Sequence, residues 1–392
     1  MKVLLNDGLN KEGIKIFAEA GFDVDSKKRD ETALVKEIGE FDALIVRSAT
    51  KVTREVIESG VKGNLKIIGR AGIGYDNIDT AAASQNGVVV KNAPWSNINS
   101  TAELALALMI NISRNIPQAH GSLKHAVWRK KPFEGQELTG KTLGIIGCGR
   151  IGQRLSELVM GFHMEVICYD PVVKVNSRLK FLSKEEVLKK ADYVSVHASG
   201  TETILGEKEL LMMKNTAYLI NTSRGKYVDE EALFKVLKAG KLAGAALDVY
   251  EDEPGNEGDP FPCKLKELNN VILSPHLGAS TKEAQLKTSM EIAQVVTDFL
   301  KRGDFSDAVN VGENIELETK PFYPLFVFHD DKPGMFAKID KVLADHEVNI
   351  RETPSRQIGN GYAIAVYLVH EKVGKIVLDD LNRLEGVHRA ST

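Results

Sequence analysis

The chain has 392 residues, too many for one ordinary hydrophobic core and enough for two or three domains that each bury a sizeable interior. Its 51 Lys and Arg against 54 Asp and Glu leave a net charge of −3, which excludes an overall basic field for nucleic acid or an anionic membrane, so any anionic ligand must be met locally. Cys148, Cys168 and Cys263 are far apart and form no C-x-x-C pair, which argues against a disulfide framework or a structural zinc site; no metal and a reducing, cytoplasmic setting are expected.

The opening MKVLLNDG turns polar too soon for a signal peptide, and the apolar run near 104–110 is too short to span a bilayer, so no membrane partner is expected. From residue 2 to about 90, short β-type runs (KVLL, ALIV, KII, VVV) alternate with helical stretches such as 53–60 and 76–86. That alternation predicts a parallel sheet with helices on both faces. Residues 100–118, with Leu104, Leu106, Leu108, Met109 and Ile112, predict one long helix suited to joining two domains. A second alternation runs through KTLGIIG (141–147), EVICYD (165–170), DYVSVH (192–197), AYLINTS (217–223), AGAALDVY (243–250) and NVILSPH (270–276), six runs that predict six parallel strands. Residues 282–301 read as a further helix, followed by RGDFSDAVNVGENIELETKP as a polar linker.

The segment after about 321 reads strand (PLFVFH), helix (GMFAKIDKVLADH), strand (NIRETPSRQ), strand (YAIAVYLV), helix (KIVLDDLNRL), strand (VHRA), a ferredoxin-like βαββαβ order. The expectation is an α/β protein with two doubly wound parallel-sheet domains and a smaller C-terminal one. Its boundaries are 1–97 with 282–313 for a discontinuous flavodoxin-like domain, 98–281 for a Rossmann-type domain, and 320–392 for the third.

Gly147-Cys148-Gly149-Arg150-Ile151-Gly152 is a complete G-x-G-x-x-G placed directly after a strand and before a helical run. The first glycine permits the tight turn, the second lets backbone approach a pyrophosphate, and the third lets helix and strand pack closely, with the phosphates at the positive helix end. Asp170 follows 23 residues after Gly147 at the end of the next strand, where a carboxylate accepts hydrogen bonds from ribose hydroxyls. The same carboxylate repels a 2′-phosphate, so NAD rather than NADP is the expected cofactor. A lone glycine motif is as often a structural turn; here strand, motif, helix, strand and acid in order carry the reading.

Fold alone does not settle function, so the residues at strand ends must. Arg224 follows AYLINTS, Glu253 follows AGAALDVY, and His276 closes NVILSPH, all just beyond the carboxyl ends of predicted parallel strands, the edge where open α/β sheets bind ligands. Singly they are a surface salt-bridge residue, a solvated loop acid and one of nine histidines. Together they are an anion binder, an acid and a base on neighbouring sheet edges.

GCGRIG at 147–152, NTSRGKYVDEEAL at 221–233, DVYEDEP at 248–254 and SPHLGAST at 274–281 closely resemble the D-isomer-specific 2-hydroxyacid dehydrogenase family, over essentially the whole chain. RSATKVT at 47–53, GRAGIGYDNID at 69–79 and a C-terminal segment similar to an ACT domain resemble the branch that acts on D-3-phosphoglycerate. The resemblance implies a catalytic trio: His276 takes the C2 hydroxyl proton as hydride leaves for nicotinamide, Glu253 orients the ring and favours imidazolium, and Arg224 binds the substrate carboxylate. It implies cofactor contacts from Gly147, Gly149, Arg150, Ile151, Gly152, Asp170, Ala198, Thr222, Ser223, Gly278 and Ala279, with Asp248 holding the nicotinamide carboxamide. HAS at 197–199 stands where the family usually has His-Thr-Pro, so Ala198 is expected to offer backbone alone.

Substrate anchoring is expected from Arg47, Ser48 and the backbone at Gly72 and Ile73. Arg47 and Lys51 are candidates for the phosphate, and Arg129 and Lys130 are others that would reach it from a neighbouring subunit of a homo-oligomer, a dimer or tetramer. In the C-terminal segment the resemblance implies an L-serine effector site at His329, Asp331 and Asn349, with Asp331 where an Asn is usual, so that a donor is replaced by a carboxylate. The reaction implied is NAD-dependent oxidation of D-3-phosphoglycerate to 3-phosphohydroxypyruvate, the first step of phosphorylated L-serine biosynthesis. The same trio also suits hydroxypyruvate, glyoxylate or another 2-hydroxyacid, and the fold suits an NAD(H)-sensing corepressor. RSATKVT and the ACT-like tail favour the biosynthetic reading.

Overall fold

Uninterrupted apolar runs form the strands of two parallel sheets because those strands are covered on both faces. The computed structural model describes residues 1–173, 179–200, 202–255, 258–311 and 323–392, and the chain divides into two units, Met1–Ser96 with Gln285–Thr392, and Asn97–Ala284. Among the described residues no helix is long and apolar enough to cross a membrane.

The first unit holds a five-stranded parallel sheet of β1 (Lys2–Leu5), β2 (Asp23–Asp25), β3 (Ala43–Val46), β4 (Ile67–Arg70) and β5 (Val89–Asn92), in the order β2-β1-β3-β4-β5. Successive side chains alternate between faces. Val3, Leu5, Ala43, Ile45, Ile67 and Val89 join one apolar cluster, and Leu4, Leu44, Val46, Ile68 and Val90 join the other. The helix Lys282–Arg302 covers the first of these faces with Ile292, Ala293, Val296, Phe299 and Leu300, spaced three and four apart along one stripe. Two readings need correction. β2, with sequence DVD, lies at the sheet edge with no buried residue and no apolar signal to betray it. The helix expected from residue 76 starts at Thr80, because the Asp79 side chain caps it by accepting from Ala82 N at 2.7 Å.

The second unit holds seven parallel strands, β6 (Thr142–Ile146), β7 (Glu165–Tyr169), β8 (Lys180–Phe181), β9 (Tyr193–Val196), β10 (Tyr218–Asn221), β11 (Gly244–Leu247) and β12 (Val271–Leu273), in the order β12-β11-β10-β9-β6-β7-β8. The six expected strands are present, and the seventh, β8, is a two-residue edge strand too short to show periodicity. Strand order reverses between β6 and β9, which opens a crevice at their carboxyl ends. The helix expected over 100–118 runs only from Ile98 to Ser113; Asn115 takes a left-handed conformation (φ 51°), and a second helix, Ile116–Lys124, starts with Pro117 in its first turn.

A separate antiparallel sheet forms the C-terminal segment: β13 (Tyr323–Asp330), β14 (Ile350–Glu352), β15 (Ser355–Gly359), β16 (Tyr362–Val369) and β17 (Val387–Ser391). β14 and β15 both pair with β16 and correspond to the single expected strand NIRETPSRQ, broken around Pro354, which has no N–H for the ladder. Leu325 and Val327 of β13 pack with the helices Met335–Asp345 and Lys375–Arg383 of this segment, while Phe326 and Phe328 on the opposite face join the cluster that includes Phe299 and Ile292. Phe328 lies so close to Gly87 that a Cβ there would sit 2.3 Å from its ring. Arg389, on β17, donates to the carbonyls of Leu65 (2.8 Å) and Gly87 (3.0 Å).

The start of the expected linker is likewise docked. Lys91, fully buried, donates to Asp304 O at 2.9 Å, and Asn310 pairs with Val88 O and Val90 N, both at 2.8 Å. Its remainder, 312–321, lies outside the described residues. Truncating the buried Phe328 to Ala should destabilise the first unit by about 3–5 kcal/mol in urea denaturation of the full chain, the usual cost of emptying an aromatic site. An unchanged midpoint would mean that the C-terminal sheet does not rest on this contact.

Candidate active site

The glycine loop leaves β6 at the crevice in the second unit. Gly147 has φ 94°, and a Cβ on it would lie 2.5 Å from Ala198 N and 2.6 Å from His197 C, so only glycine lets the two strand ends touch. A Cβ on Gly152 would meet Gly147 O at 2.5 Å, whereas one on Gly149 would meet nothing within 4 Å. The helix Arg150–Val159 that follows has no side-chain cap, and its positive end faces the loop. Arg150 is exposed there, and Ile151 packs on the core. Asp170 braces the loop: Oδ2 accepts from Cys148 N (2.7 Å), and Oδ1 from Val172 N (2.8 Å) and Val173 N (2.9 Å). Three of roughly four acceptor positions of a carboxylate are thereby in use, leaving one for a ribose hydroxyl.

Two buried polar atoms around the crevice, His197 Nδ1 and Thr222 Oγ1, have no protein partner among the described residues. The open Gly149 flank, the uncapped helix end and these two atoms fit a dinucleotide. His197 is a feature that sequence reasoning set aside: its Nε2 meets Ser195 Oγ at 2.8 Å, and burial pushes its pKa down to about 4, so the ring is neutral near pH 7. Cys148 and Cys168, distant in sequence, are neighbours with sulfurs 3.0 Å apart; both thiols, and that of Cys263, are free.

The next strands supply the reactive side chains. Asn221, at the end of β10, accepts from Ser223 N (3.1 Å) and Ser223 Oγ (2.8 Å) and donates to Arg224 O (2.9 Å), which folds the NTSR loop onto itself. A Cβ on Gly225 would fall 1.8 Å from the Tyr250 carbonyl carbon, so this glycine brings the segment carrying Arg224 against the one carrying Glu253. The Arg224 charge acts on Glu253. His276 Nδ1 meets Glu253 Oε2 at 2.7 Å, with both side chains open to solvent on one flank. Burial raises the Glu253 carboxyl, but its hydrogen bond to His276 and the His276 charge outweigh that, and the net shift is below the ordinary carboxylate value.

His276 itself sits in the left-handed region at φ 54°, rare for a residue with a Cβ. Asp248 explains how. Its carboxylate, fully buried, accepts from Ser274 Oγ (2.6 Å), Leu277 N (2.8 Å) and Gly278 N (2.8 Å), and its carbonyl accepts from His276 N (2.9 Å). Burial raises the Asp248 pKa against the pull of these bonds. The same carboxylate that the resemblance assigns to the cofactor thus also shapes the histidine loop. Gly278 is buried in that loop, and its carbonyl accepts from Ser100 Oγ at 2.7 Å; Ala279 is half-buried beside it.

The residues expected to hold substrate lie in the first unit, at the carboxyl ends of β3 and β4. Asp7 accepts from Arg47 N (2.7 Å) and Thr50 Oγ1 (2.7 Å), and Asn77 donates to the carbonyls of Arg47 and Thr50, both at 2.7 Å, so the 47–51 loop is clamped from both sides. The Arg47 guanidinium donates to Gln285 Oε1, while Ser48 and Lys51 are exposed. Gly72 (φ 147°) has its carbonyl bonded to Ala93 N at 3.0 Å, and Asn92 holds Ile73 O at 2.6 Å. Arg70, which sequence reasoning passed over inside GRAGIG, lays its guanidinium against Gly72 where a side chain would stand. In the second unit, Arg129 and Lys130 are exposed, with Lys130 Nζ 5.9 Å over the Trp128 ring.

In the C-terminal segment His329 is 1% exposed. Its Nδ1 donates to Asp330 O at 2.7 Å, Phe336 packs edge-on at 5.4 Å, and Nε2 is buried without a partner among the described residues. Asp331 is exposed and accepts from Gln357; Asn349 is exposed.

A dinucleotide loop at a sheet reversal and an acid–base pair on neighbouring strand ends define a dehydrogenase acting on a carbon–oxygen bond. Residues 106–278 match the NAD binding domain of the D-isomer specific 2-hydroxyacid dehydrogenases, and the chain belongs to that family of NAD-dependent oxidoreductases. A D-3-phosphoglycerate dehydrogenase of Archaeoglobus fulgidus is 42% identical over 349 residues, spanning 86% of this chain and 64% of the relative. A hydroxypyruvate reductase of Thermotoga maritima is 41% identical over 300 residues, spanning 75% of this chain and 97% of the relative. The chain therefore spans less than two thirds of the Archaeoglobus enzyme and nearly all of the Thermotoga one. Among solved structures, an acyclic imino acid reductase in complex with NADPH and D-Arg is similar at 31% identity with a TM-score of 0.70, over 80% of this chain and 100% of that one.

Replacing His276 by Ala should cut turnover by about 10²-fold or more while NADH binding, followed by fluorescence, is preserved, as expected when a general acid or base is removed. Replacing Glu253 by Gln should move the midpoint of the pH–rate profile to lower pH, because imidazolium loses its negative partner. An unchanged profile would contradict the pairing.

Proposed function

We propose that this protein oxidises D-3-phosphoglycerate at C2 with NAD, giving 3-phosphohydroxypyruvate, the reaction that opens phosphorylated L-serine biosynthesis. The observation that carries the reading is the 2.7 Å pair of His276 and Glu253 on strand ends beside a loop that fits a dinucleotide. NAD, when bound, supplies the hydride acceptor. His276 takes the C2 hydroxyl proton on Nε2 while Nδ1–H stays on Glu253, and Arg224 binds the substrate carboxylate and polarises the developing carbonyl oxygen. Asp170 receives a ribose hydroxyl, and Arg150, Ile151, Ala198, Thr222, Ser223 and Ala279 line the cofactor's path.

Arg47, Ser48 and Lys51, with the backbone at Gly72 and Ile73, hold the substrate, and Arg70 adds a further cation for its two anionic ends. Relatives named for D-3-phosphoglycerate support this substrate. The C-terminal βαββαβ segment is read as an ACT domain with His329, Asp331 and Asn349 as an L-serine effector site, in a homo-oligomer. The Thermotoga relative, matched over nearly its whole length, favours a second reading, reduction of hydroxypyruvate.

Following NADH formation with 3-phosphoglycerate, glycerate, lactate and 2-hydroxyglutarate separates the two. We expect kcat/KM for 3-phosphoglycerate about 10²-fold above that for glycerate, the size of one or two charge-assisted hydrogen bonds to phosphate. Equal values for the two would favour the unphosphorylated substrate.

A further inference from the structure

Tyr250 stands between Asp248 and Glu253 in the DVYEDEP segment, with its side chain outside the acid–base pair. Its side chain is 6% exposed, with the ring edge-on to Phe261 at 4.6 Å. Packing alone would be served by phenylalanine, and burying a hydroxyl is unfavourable unless it is bonded. Here its single proton is shared between Ser274 O at 2.9 Å and Leu247 O at 3.0 Å. Ser274 O is also one of the two carbonyls that accept from His276 N, at 3.1 Å, and the backbone N–H of Tyr250 donates to Glu253 Oε1 at 3.2 Å. One residue therefore touches the end of β11, the carboxylate of the acid and the carbonyl that holds the histidine backbone.

We propose that Tyr250 is a positioning residue for the Glu253–His276 pair, its hydroxyl fixing the Ser274 carbonyl so that His276 keeps the left-handed backbone that aims Nδ1 at Glu253. A residue at φ 54° lies in a small allowed region, and the surrounding hydrogen bonds must select it over the broader basins. Removing the hydroxyl leaves the Ser274 carbonyl one donor short, loosens the loop, and disperses the ring among orientations of which only one is productive. Burial pushes the phenol pKa up, so it remains a donor across the working range. The inference rests on the acid–base reading of His276, and its test separates the two.

Tyr250→Phe, made in the full chain, should lower kcat by roughly 3- to 10-fold, the loss of one hydrogen bond, with KM for NAD and the NADH dissociation constant unchanged. In a Glu253→Gln background the same change should cost less than half as much, because the geometry it protects is already lost. Phe261→Leu, which disturbs the ring packing and keeps the hydroxyl, should lower the melting temperature and leave kcat within twofold. An unchanged kcat in Tyr250→Phe, full additivity with Glu253→Gln, or an equal kcat loss in Phe261→Leu would each overturn the proposal and reduce Tyr250 to packing. His276→Ala with normal turnover would instead overturn the acid–base reading itself.

Discussion

A carboxylate with no solvent contact must be hydrogen-bonded or paired to remain charged, and Asp248 satisfies this by having the 274–278 loop wrap around it. Everything reactive in the second unit follows from that constraint. To present Leu277 N and Gly278 N to the same carboxylate, the chain must turn sharply at His276, and the turn is made by the left-handed conformation at that residue. Such a conformation costs on the order of 1–2 kcal/mol outside glycine. Three hydrogen bonds to one buried carboxylate offset it. Glu253, three residues beyond Tyr250, then needs only a short reach to close on His276 Nδ1. The acid–base pair, partly exposed, inherits its geometry from a buried carboxylate.

The first unit shows the same division of labour. Asp7 and Asn77 leave no freedom to the backbone of the 47–51 loop, while Ser48 and Lys51 at its crest remain open. Arg70 lies over a glycine that admits nothing larger. The C-terminal sheet is built into this unit on an apolar face, with Arg389 bound to carbonyls just ahead of β4 and β5. β4 ends at Arg70, two residues before Gly72, and β5 ends at Asn92. A change in the packing of the C-terminal segment would therefore be felt at the strands that carry the substrate-binding candidates, a physical route by which an effector there would act.

What could be read from the sequence was whatever leaves a periodic or local mark. The strand runs, the G-x-G-x-x-G after KTLGII, Asp170 at its spacing, and Arg224, Glu253 and His276 at strand ends all lie within a few residues of a recognisable element. β2 and β8 escaped because an edge strand of two or three residues has no period to detect. The stop at Ser113 was hidden by an apolar stripe that continues past it, although Pro117 marked the next start. Asn221, Tyr250 and Asn77 were passed over for one reason: their roles are hydrogen bonds to loops 3 to 30 residues away. Composition and spacing encode burial. They do not encode which of two buried donors meets which carbonyl.

In the proposed reaction His276, held by Glu253, removes the hydroxyl proton as hydride leaves C2. Rapid-mixing absorbance of NADH formation with 3-phosphoglycerate deuterated at C2, compared between the wild type and His276→Ala, tests it most directly. Hydride transfer should become the slow step in the variant, with a full primary isotope effect on a rate that falls with NADH affinity intact. A variant whose slow step shows no isotope effect, with the loss appearing only in substrate binding, would contradict it.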